Sequence, residues 1–569
     1  MKWIKKEIPT EIIKQISAKY EINETLAQVL LNRGLDEEKI NMVINNIHEA
    51  MIDPTLLTNA SLASERIYTY LNDPKAHIII RADYDVDGLT SGYILGQTLR
   101  DLGKCKVDVS YPERSDGYGL KKEFCESVAD FKLKNNIERM LVITVDNGIT
   151  AVDEVELLQG ADIEVIITDH HLPKEVLPNC IIVDPHADEE DTFHHLAGCG
   201  VAFKVSQLVA RLFDNESYMN NLLAPLAIGT IADMMPMSLE NIAFCIYGLS
   251  QINSDDCPIG LKALKEYLGK ESLSFSDIGW EVAPRLNACG RMGDIQLAAR
   301  LFFTNDMDYD TIMDDVVVEI DRMNNDRKEL TETKTKEAFS QVSEEDHIQL
   351  AILNDCKEGI AGVVANKIIA EYQRPIIVLV KSEGCYVGSA RSTSACSIQD
   401  ILKQEFEKGN VMAYGGHEGA AGLTISSENL NKFRESIAKY KFDFIDPVEP
   451  STEQELIIDG TLELKDLDMD LLDILNSVPY DKNSFAPPVF EFIVEIDKKN
   501  TMPTKKDNNN LWLAIKDKTG YKKVWAKGLT SKYVSLKNQN KVRIAAALKT
   551  DFMNSNKTVT MEILDIKEY

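Results

Sequence analysis

The sequence has no long apolar run and no Cys-x-x-Cys pair. A membrane-spanning helix needs about 20 mostly apolar residues, and no stretch approaches that length. The residues that follow Met1 do not form the apolar core of a signal peptide. The ten cysteines are scattered, which argues against a zinc site or a disulfide framework and favours reduced thiols. With 44% hydrophobic residues, we expect a globular, cytoplasmic protein.

Over most of its length the chain also lacks a net positive charge. The formal net charge of its 569 residues is −29, which by itself argues against a polyanionic partner. The exception is residues 501–569, where 14 lysines and arginines outnumber 6 acidic residues. A basic module on an acidic body points to nucleic acid. The alternative is a lysine-rich surface that only aids solubility.

Three aspartates follow a short apolar stretch at residues 78–80. Asp83, Asp85 and Asp87 occupy alternate positions, so an extended chain would project them to the same side. Three such carboxylates repel one another unless a cation neutralises them, and hard divalent cations prefer oxygen ligands. A lone acidic cluster of this kind is more often a turn that leads into a helix. The choice depends on whether similar residues recur at other strand ends.

Strand and helix patterns alternate from residue 76 onward. Such alternation predicts a mainly parallel sheet with helices on both faces, whose sites form beyond the carboxyl ends of the strands. The predicted strands are His77–Arg81, Lys106–Ser110, Leu141–Val145, Glu164–Thr168 and Cys180–Val183.

Polar side chains recur at those strand ends. Asp146 follows the third strand, Asp169-His170-His171 the fourth, and Asp184-Pro185-His186 the fifth. A further aspartate, Asp233, ends an apolar run that we predict to be helical. Turns alone do not explain so many acidic and imidazole groups at successive element ends. We therefore predict a metal site at this edge of the sheet.

Four motifs in this order resemble the signature of the DHH phosphoesterase superfamily. They are Asp83–Gly88 (DYDVDG), Val145–Gly148 (VDNG), Asp169–His171 (DHH) and Ala232–Asp233. The rest of the chain is similar to the superfamily's single-stranded-DNA exonucleases. The supporting segments are Gly198–Lys204, Gly229–Pro236, Ala283–Arg291, Gly388–Ser392 and Gly415–Gly422.

The resemblance implies an α/β fold: a DHH-type parallel-sheet catalytic domain joined by a long helix to a DHHA1 α/β domain. The predicted divisions are a helical lead-in over 1–70, the DHH domain over 71–250, a helical connector over 251–345 and the DHHA1 domain over 346–445. Residues 446–569 are strand-rich, with Trp512, Tyr521, Trp525, Tyr533 and Phe552 interleaved with lysines. That composition suits an OB-type β-barrel that binds nucleic acid, on which bases stack against aromatic rings.

The resemblance also implies two metal ions, Mn²⁺ or Mg²⁺. Asp85 would bind one ion, Asp87 the other, and Asp146 would bridge them. His170 and Asp233 would complete the second site. Carboxylates with one imidazole suit these ions better than thiolate-preferring metals.

Three neighbouring residues are predicted to act beside the ligands. His171 would face the scissile phosphate, Asp169 would orient His170, and Asp83 would support the ligands. The predicted substrate contacts are Arg114, Arg285, Ser389, Arg391, Ser392, Gly415, Gly416 and His417.

The implied reaction is stepwise hydrolysis of single-stranded DNA from its 5′ end, which releases nucleoside monophosphates in repair and recombination. A helicase or a single-strand-binding protein is left open as a partner. Two other functions also stay open: a DHH-type phosphodiesterase for oligonucleotides or cyclic dinucleotides, and a non-catalytic DNA-binding scaffold.

Three departures from the superfamily pattern concern residues near the predicted site. Arg81 stands where a histidine often precedes the first motif, and Cys356-Lys357 stands where a Trp-His pair opens the second lobe. Pro479–Ser484 replaces a turn rich in glycine and asparagine. The predicted metal ligands are unaffected.

Overall fold

The chain forms two compact units in a computed structural model. One consists of residues 1–52, 234–247 and 449–569, and the other of residues 53–233 and 248–448. The structure describes residues 1–113, 117, 119–304, 307–343, 345–382, 384–393, 396–417, 419–442, 455–478, 487–504, 509–536, 538–539, 541–553 and 556–569. Each unit is described by itself.

Residues 1–52 consist of one strand and a series of short helices, in agreement with the predicted helices. The elements are β1 (Lys2–Lys5), α1 (Thr10–Tyr20), α2 (Glu24–Asn32) and α3 (Glu37–Asn45), followed by a 3₁₀ turn at Ile47–Ala50. Asn23 and Asp36 cap α2 and α3 through side-chain oxygens that accept backbone N–H groups.

Residues 53–233 build the sheet that carries the strand-end motifs. Its strands are β2 (His77–Arg81), β3 (Lys106–Ser110), β4 (Met140–Val145), β5 (Glu164–Thr168) and β6 (Ile181–Val183). Their order is β3-β2-β4-β5-β6, and every neighbouring pair is parallel. The predicted parallel sheet is confirmed. Because all five strands run the same way, their carboxyl ends share one edge.

Helices cover both faces of this sheet. They are α4 (Ala60–Leu71), α5 (Val86–Leu102), α6 (Lys122–Lys134), α7 (Val152–Gly160), α8 (Gly198–Leu212) and α9 (Leu223–Ala232). Ile79 belongs to the core that α6 and α7 form with the sheet. Ile80 faces the opposite way, toward Gly96 of α5. The alternation of β2 side chains thus buries both faces of the strand, as expected for a parallel sheet.

The described residues between Leu239 and Phe339 are mainly helical, and the sequence predicts a helical connector over 251–345. The elements are α10 (Leu239–Ile252), α11 (Ile259–Tyr267), α12 (Phe275–Asp277), α13 (Ala283–Met292), α14 (Ile295–Arg300), α15 (Tyr309–Ile312) and α16 (Val318–Phe339). π-Helical turns at Ile278–Val282 and Met313–Val317 lead into α13 and α16. The long charged helix expected from Asp310 is therefore α16 with α15 and a π turn before it.

The DHHA1 region is a mixed sheet with helices. Its elements are β7 (Gln349–Leu353), α17 (Glu358–Tyr372), β8 (Ile376–Ser382), β9 (Cys385–Arg391), α18 (Ile398–Glu407), β10 (Ala413–His417), β11 (Ala420–Ser426) and α19 (Leu430–Ile437). The strand order is β10-β11-β9-β8-β7, with only β7 and β8 parallel.

The C-terminal region is strand-rich, as predicted. Its elements are β12 (Glu455–Ile458), β13 (Gly460–Leu462), α20 (Met469–Leu475), β14 (Val489–Ile496), β15 (Met502–Pro503), β16 (Leu511–Lys516), β17 (Tyr521–Ala526), α21 (Thr530–Leu536), β18 (Val542–Met553) and β19 (Asn556–Glu568). Seven strands form one sheet, in the order β15-β16-β14-β18-β19, with β13 on β14 and β17 on β16. The pairings among the described residues do not close this sheet on itself.

The two ends of the chain are joined within this unit. Strand β1 pairs in parallel with β12, and the Trp3 Nε1 donates to Asp565 Oδ2 at 2.9 Å. The buried Asp459 accepts from Arg33 Nη2 at 3.0 Å, from Asn32 Nδ2 at 3.2 Å and from the Val489 N–H at 2.9 Å. The predicted lead-in is thus divided, because residues 1–52 group with the C-terminal sheet.

Replacing Asp459 by Ala should lower the free energy of unfolding by about 3–5 kcal/mol, because it removes the carboxylate that faces the buried Arg33 guanidinium. Replacing Glu455, whose ion pair with Lys2 is exposed, should change it by less than about 1 kcal/mol. Urea unfolding measures both values. Equal effects of the two substitutions would contradict the proposal that the Arg33–Asp459 ion pair holds the first residues of the chain to the C-terminal sheet.

Candidate metal centre

The predicted ligands lie where the fold brings element ends together. Asp83 follows β2, and Asp146 follows β4. Asp85 is the N-cap of α5, and its Oδ1 accepts the Gly88 N–H at 3.0 Å. Asp87 lies in the first turn of α5, and Asp233 directly follows α9. Residues up to 150 positions apart in the sequence therefore share one edge of the sheet.

The N-terminus of α8 holds Asp87 in place. The Asp87 carboxylate accepts the Gly198 N–H at 2.6 Å and the Cys199 N–H at 2.9 Å. A helix N-terminus presents unsatisfied N–H groups and a positive partial charge, so it favours an ionised carboxylate. The Gly198–Lys204 segment supports the family resemblance, but the resemblance alone does not predict that its N–H groups contact the site. The signal that could have indicated this contact is Gly-Cys-Gly at residues 198–200, where α8 begins.

Asp146 has a strained backbone, and Gly198 packs closely against its side chain. Its φ is +61°, in the left-handed region that few residues other than glycine occupy. A Cβ atom on Gly198 would lie 2.6 Å from the Asp146 Cβ, so only glycine fits at the start of α8. Strain of this kind is often found at functional sites.

The side chains form three groups of three residues. Within each group, the ligand atoms lie within 4.8 Å of one another. The groups are Asp83, Asp85 and Asp146; Asp87, His170 and Asp233; and Asp146, His170 and His171.

His170 links the groups. Its Nε2 lies 3.1 Å from Asp146 Oδ1, 3.7 Å from Asp87 Oδ2 and 3.8 Å from Asp233 Oδ2. The geometry therefore offers two neighbouring cation positions, with Asp146 in reach of both.

Asp169 orients a different histidine from the one predicted. Its Oδ1 lies 2.7 Å from His171 Nδ1, and the same oxygen accepts the His170 N–H at 2.8 Å. Its Oδ2 accepts the Ile149 N–H at 2.9 Å. Asp169 therefore fixes the ring of His171 and only the backbone of His170. Sequence order alone could not distinguish two adjacent histidines.

Burial and mutual repulsion raise the pKa values of the cluster's carboxyl groups. The pKa of Asp146 is well above its ordinary value, first because of burial and then because of the Asp87 and Asp85 charges. Burial and the same two charges raise the pKa of Asp233 to about 8. Burial also raises the pKa of Asp87, although His170 opposes it. A divalent cation would relieve this repulsion, and the oxygen-rich donor set fits Mn²⁺ or Mg²⁺.

The two histidines differ in charge. Burial lowers the pKa of His170, so its ring is neutral near pH 7 and can donate a lone pair to a metal. Burial also tends to lower the pKa of His171, but the hydrogen bond and charge of Asp169 outweigh it and raise the pKa to about 9. The His171 ring, 45% exposed, therefore carries a proton near pH 7.

The predicted substrate arginines differ in their surroundings. Arg285 Nε lies 2.8 Å from Asp321 Oδ1, and its Nη1 lies 2.6 Å from Glu281 Oε2. With two acidic partners and 12% exposure, Arg285 holds α13 to α16, which argues against the predicted phosphate contact. Arg114 lies outside the described residues.

The DHHA1 residues converge through strand register. Ser389 pairs with Gly422, which pairs with Gly415; Arg391 pairs with Ala420, which pairs with His417. Arg391 donates to Ser389 Oγ at 2.8 Å and to Asn366 Oδ1 at 2.9 Å. Gly416 has φ +138°, and a Cβ there would collide with β11.

Ser392, the residue after β9, has a different environment. Its Oγ donates to the Cys396 carbonyl at 2.5 Å and lies 3.2 Å from the Cys396 Sγ. The loop that follows β9 therefore holds this hydroxyl. Its predicted contact with substrate stays a prediction.

Family models match both the parallel-sheet region and the mixed-sheet region of the chain. Residues 77–230 match the DHH family, N-terminal domain, and residues 345–441 match the DHHA1 domain. The single-stranded-DNA-specific exonuclease RecJ of Haemophilus influenzae is 30% identical over 470 residues, which cover 79% of this chain and 80% of that protein. The chain belongs to the RecJ family. RecJ of Escherichia coli is 28% identical over 460 residues, or 76% of this chain and 78% of that one.

Solved RecJ structures agree with the fold. The crystal structure of Thermus thermophilus RecJ in complex with Mn²⁺ matches this chain with a TM-score of 0.78 and 23% identity. The match covers 100% of this chain and 80% of that one. A second RecJ structure, an exonuclease bound to manganese, covers 70% of this chain and 97% of its own, with a TM-score of 0.60 and 28% identity.

Two departures from the superfamily pattern lie at described positions of this RecJ-family chain. The Arg81 guanidinium lies 4.2 Å above the Phe124 ring and donates to Ser110 Oγ at 2.9 Å. Cys356 precedes α17 and donates to the Lys357 carbonyl. Pro479–Ser484 lies outside the described residues. Among the described helices, none has both the length and the apolar character that a membrane crossing requires.

In EDTA, the free energy of unfolding should fall as the pH rises from 5 to 8. Asp146 and Asp233 hold protons more tightly in the folded than in the unfolded chain, so stability is lost as the pH rises toward the raised pKa values. We expect a loss of at least about 1 kcal/mol, since one pKa unit is about 1.4 kcal/mol. Urea unfolding at each pH measures the loss.

Asp146→Asn should reduce this slope, and saturating Mn²⁺ should remove most of it from the unsubstituted protein. His170, whose pKa is lowered, acts in the opposite direction and is retained in the variant. Asp162→Asn is the matched control, because Asp162 also has positive φ but a side chain that is 95% exposed. Equal slopes in the unsubstituted protein and Asp146→Asn would contradict the prediction.

Proposed function

We propose that this RecJ-family protein is a metal-dependent exonuclease that hydrolyses single-stranded DNA from its 5′ end. It releases nucleoside monophosphates and acts in repair and recombination in the cytoplasm. The observation that carries the proposal is the cluster of Asp85, Asp87, Asp146, His170 and Asp233 at one sheet edge, in which Asp87 and Asp146 are buried and the other three are half-buried. The named activity of the relatives supports the substrate class.

Two divalent ions, when bound, would supply the Lewis-acid chemistry of a two-metal centre. In the proposed arrangement, Asp87, His170 and Asp233 would hold one ion and Asp85 the other. Asp146 would be a ligand of both, with Asp83 next to Asp85. Two of the groups of ligand atoms, Asp87 with His170 and Asp233 and Asp85 with Asp83 and Asp146, support this division.

His171 and Asp169 act next to the ligands in this mechanism. The protonated His171 ring donates a hydrogen bond to an oxygen of the phosphate that is attacked. Asp169 keeps the proton on His171 Nδ1 through the 2.7 Å contact and so fixes which ring nitrogen faces the substrate. The exposed side of the ring leaves that nitrogen accessible.

The DHHA1 region, proposed as residues 346–445, binds the terminal phosphate. Arg391 supplies a guanidinium, while Ser389 and Ser392 supply hydroxyl groups that suit phosphate oxygens. Gly415 lies in the same row as Ser389, and the space next to its Cα is open. Backbone N–H groups and phosphate oxygens can therefore approach closely at this position.

The C-terminal region, proposed as an OB-type module over residues 446–569, binds the single strand. Trp512 and Trp525 are cross-strand partners, 43% and 45% exposed, on the same face as Tyr521. Lys523 lies between Tyr521 and Trp525 on that face. Exposed aromatic rings and lysines together suit stacking of bases and contact with phosphates. Leu513 and Val524, which alternate with these residues, are buried and form the core.

The two alternative functions are separated by substrate length and by the metal. An oligonucleotide or cyclic-dinucleotide phosphodiesterase would degrade dinucleotides but not long strands. A non-catalytic scaffold would bind DNA without Mn²⁺-dependent cleavage. Digestion of a 5′-labelled strand, a 3′-labelled strand and a dinucleotide, each with and without Mn²⁺, distinguishes all three and gives the polarity.

Asp146→Asn should reduce Mn²⁺-dependent degradation by on the order of 10³-fold, because one carboxylate ligand of both ions is lost. Asparagine tolerates the positive φ of this position, so the variant should fold. Binding of the single strand to the DHHA1 and C-terminal regions should change little. Asp162→Asn should keep full activity, and unchanged activity of Asp146→Asn would refute the site.

Replacing Trp512 and Trp525 together by Ala should raise KM for a long single strand by about 10- to 100-fold, since each stacked base contributes about 1–3 kcal/mol. The kcat value should change little, and Val534→Ala, 50% exposed in the same unit, is the control. Point substitutions are preferable to deletion of the C-terminal region, because residues 1–52 pack with the C-terminal sheet and would lose their partner. An unchanged KM would argue against the proposed DNA-binding face.

A further inference from the structure

Trp280 is exposed, although tryptophan side chains are highly buried on average. It is 70% exposed, more than any of the other three tryptophans of the chain. Trp280 lies in the π-helical turn Ile278–Val282 that leads into α13, and the first and last residues of this turn are buried. The turn therefore presents Trp280 to solvent. π-Helical turns are frequent at functional sites.

The π-helical turn and α13 lie along the metal centre, in the same compact unit. At the turn, a Cβ atom on Gly279 would lie 3.7 Å from Ile231 Cγ2, in the helix α9 that ends directly before Asp233. Further along α13, Asn287 Oδ1 accepts the N–H of Val86, in the first motif, at 3.3 Å. The element that carries Trp280 therefore contacts two of the segments that supply the predicted ligands.

Trp280 belongs to an accessible strip along this element. The strip consists of four residues at steps of four, three and four, namely Trp280, Pro284, Asn287 and Arg291. Such steps place residues on one face of a helix, and the wider π turn keeps a four-residue step on that face. Trp280 is exposed and the other three are half-buried. Because Asn287 contacts the first motif, this face borders the metal centre.

The neighbouring side of α13 is occupied by ion pairs. Arg285 Nη1 lies 2.6 Å from Glu281 Oε2, and its Nε lies 2.8 Å from Oδ1 of Asp321 on α16. That side therefore packs toward α16, and the accessible strip is the side of the element that a strand bound at the metal centre can follow.

The two ends of the strip have different surroundings. At one end, Arg291 donates to the Gly359 carbonyl of α17 at 3.2 Å, so this end adjoins the DHHA1 region, which we propose as the binder of the terminal phosphate. Trp280 lies at the other end, 11 residues away, which is roughly 15 Å along a helix axis. With the 5′ phosphate in the DHHA1 region and the cleaved bond at the metal centre, the rest of the strand leaves past Trp280.

We propose that the indole ring of Trp280 stacks on a base of the single strand, on the 3′ side of the bond that is cleaved. This inference rests on the proposed function and adds a base contact to it. An exposed aromatic ring replaces part of the stacking that bases lose when a strand is extended along a protein. Because every base has a π face, the contact accepts all four bases, as stepwise degradation requires. The ring binds substrate and touches no reacting atom.

The first test compares Trp280→Ala with Trp280→Phe and with the control Leu133→Ala. Leu133 is 74% exposed on α6 and belongs to no proposed site. Trp280→Ala should raise KM for a long single strand by about 5- to 100-fold, the range expected for one stacked base. The kcat value should change little. Trp280→Phe, which keeps a ring, should retain most of the affinity, and Leu133→Ala should equal the unsubstituted protein.

A second measurement locates the contact without cleavage. In an Asp146→Asn background, binding is measured for strands that carry one abasic nucleotide at successive positions from the 5′ end. Removal of a base should weaken binding most at one interior position, and Trp280→Ala should abolish that dependence on position. Trp280→Leu, which keeps an apolar side chain but no ring, repeats both measurements in case the alanine variant does not fold.

Three outcomes would overturn the inference. They are an unchanged KM of the variants that lack a ring, the same dependence on abasic position with and without the ring, and a lower molar mass of Trp280→Ala in solution, which would assign the ring to a contact with a second copy of the chain. If the unsubstituted protein does not degrade single strands at all, the proposed function fails, and binding of the abasic strands still tests the base contact.

Discussion

Repulsion among Asp85, Asp87, Asp146 and Asp233 is the constraint on which the rest of the catalytic unit depends. Water would screen these charges, but the sheet edge buries Asp87 and Asp146 and half-buries Asp85 and Asp233, and the pKa values of Asp87, Asp146 and Asp233 rise as a result. A fold that keeps such groups together must supply opposite charge. The N-terminus of α8 supplies part of it to Asp87, and a bound cation supplies the rest.

Close backbone contacts keep this arrangement in place. Gly198 allows α8 to approach Asp146, and Gly290 brings α13 against the Tyr84 carbonyl, next to the aspartates of the first motif. Asn287 Oδ1 also accepts the Val86 N–H at 3.3 Å. One residue beyond Gly290 on α13, Arg291 donates to the Gly359 carbonyl of α17 at 3.2 Å. One helix therefore touches both the metal-binding loop and the DHHA1 region.

Charge is divided along the chain to suit a polyanionic substrate. An acidic catalytic unit can hold cations, but it would repel DNA without basic surfaces elsewhere. We propose that lysines such as Lys523, which lies on the same face as the exposed Trp525 and its cross-strand partner Trp512, provide such a surface. The strand β1 and the Arg33–Asp459 ion pair hold the first residues of the chain to the sheet that carries this surface.

The sequence by itself determined the parallel sheet, the long helix and the residues at the strand ends. Alternating patterns of β-branched strands and amphipathic helices are local, and motifs at strand ends in a parallel sheet must share an edge. The groups of ligand atoms found around Asp146 and His170 agree with that reasoning. Local patterns also predicted the strands of the C-terminal region, but not how they pair.

The tertiary structure determined the side-chain contacts that residue order does not specify. Whereas the contact of Asp169 with His171 depends on the local backbone conformation after β5, the Arg285–Asp321 ion pair and the hydrogen bonds from the α8 N-terminus to Asp87 follow from packing between elements far apart in sequence. The same is true of the division of residues 1–70, since β1 pairs with a strand 450 residues away. Hydrogen bonds and ion pairs of this kind depend on where the folded backbone brings side chains, and residue order does not specify that.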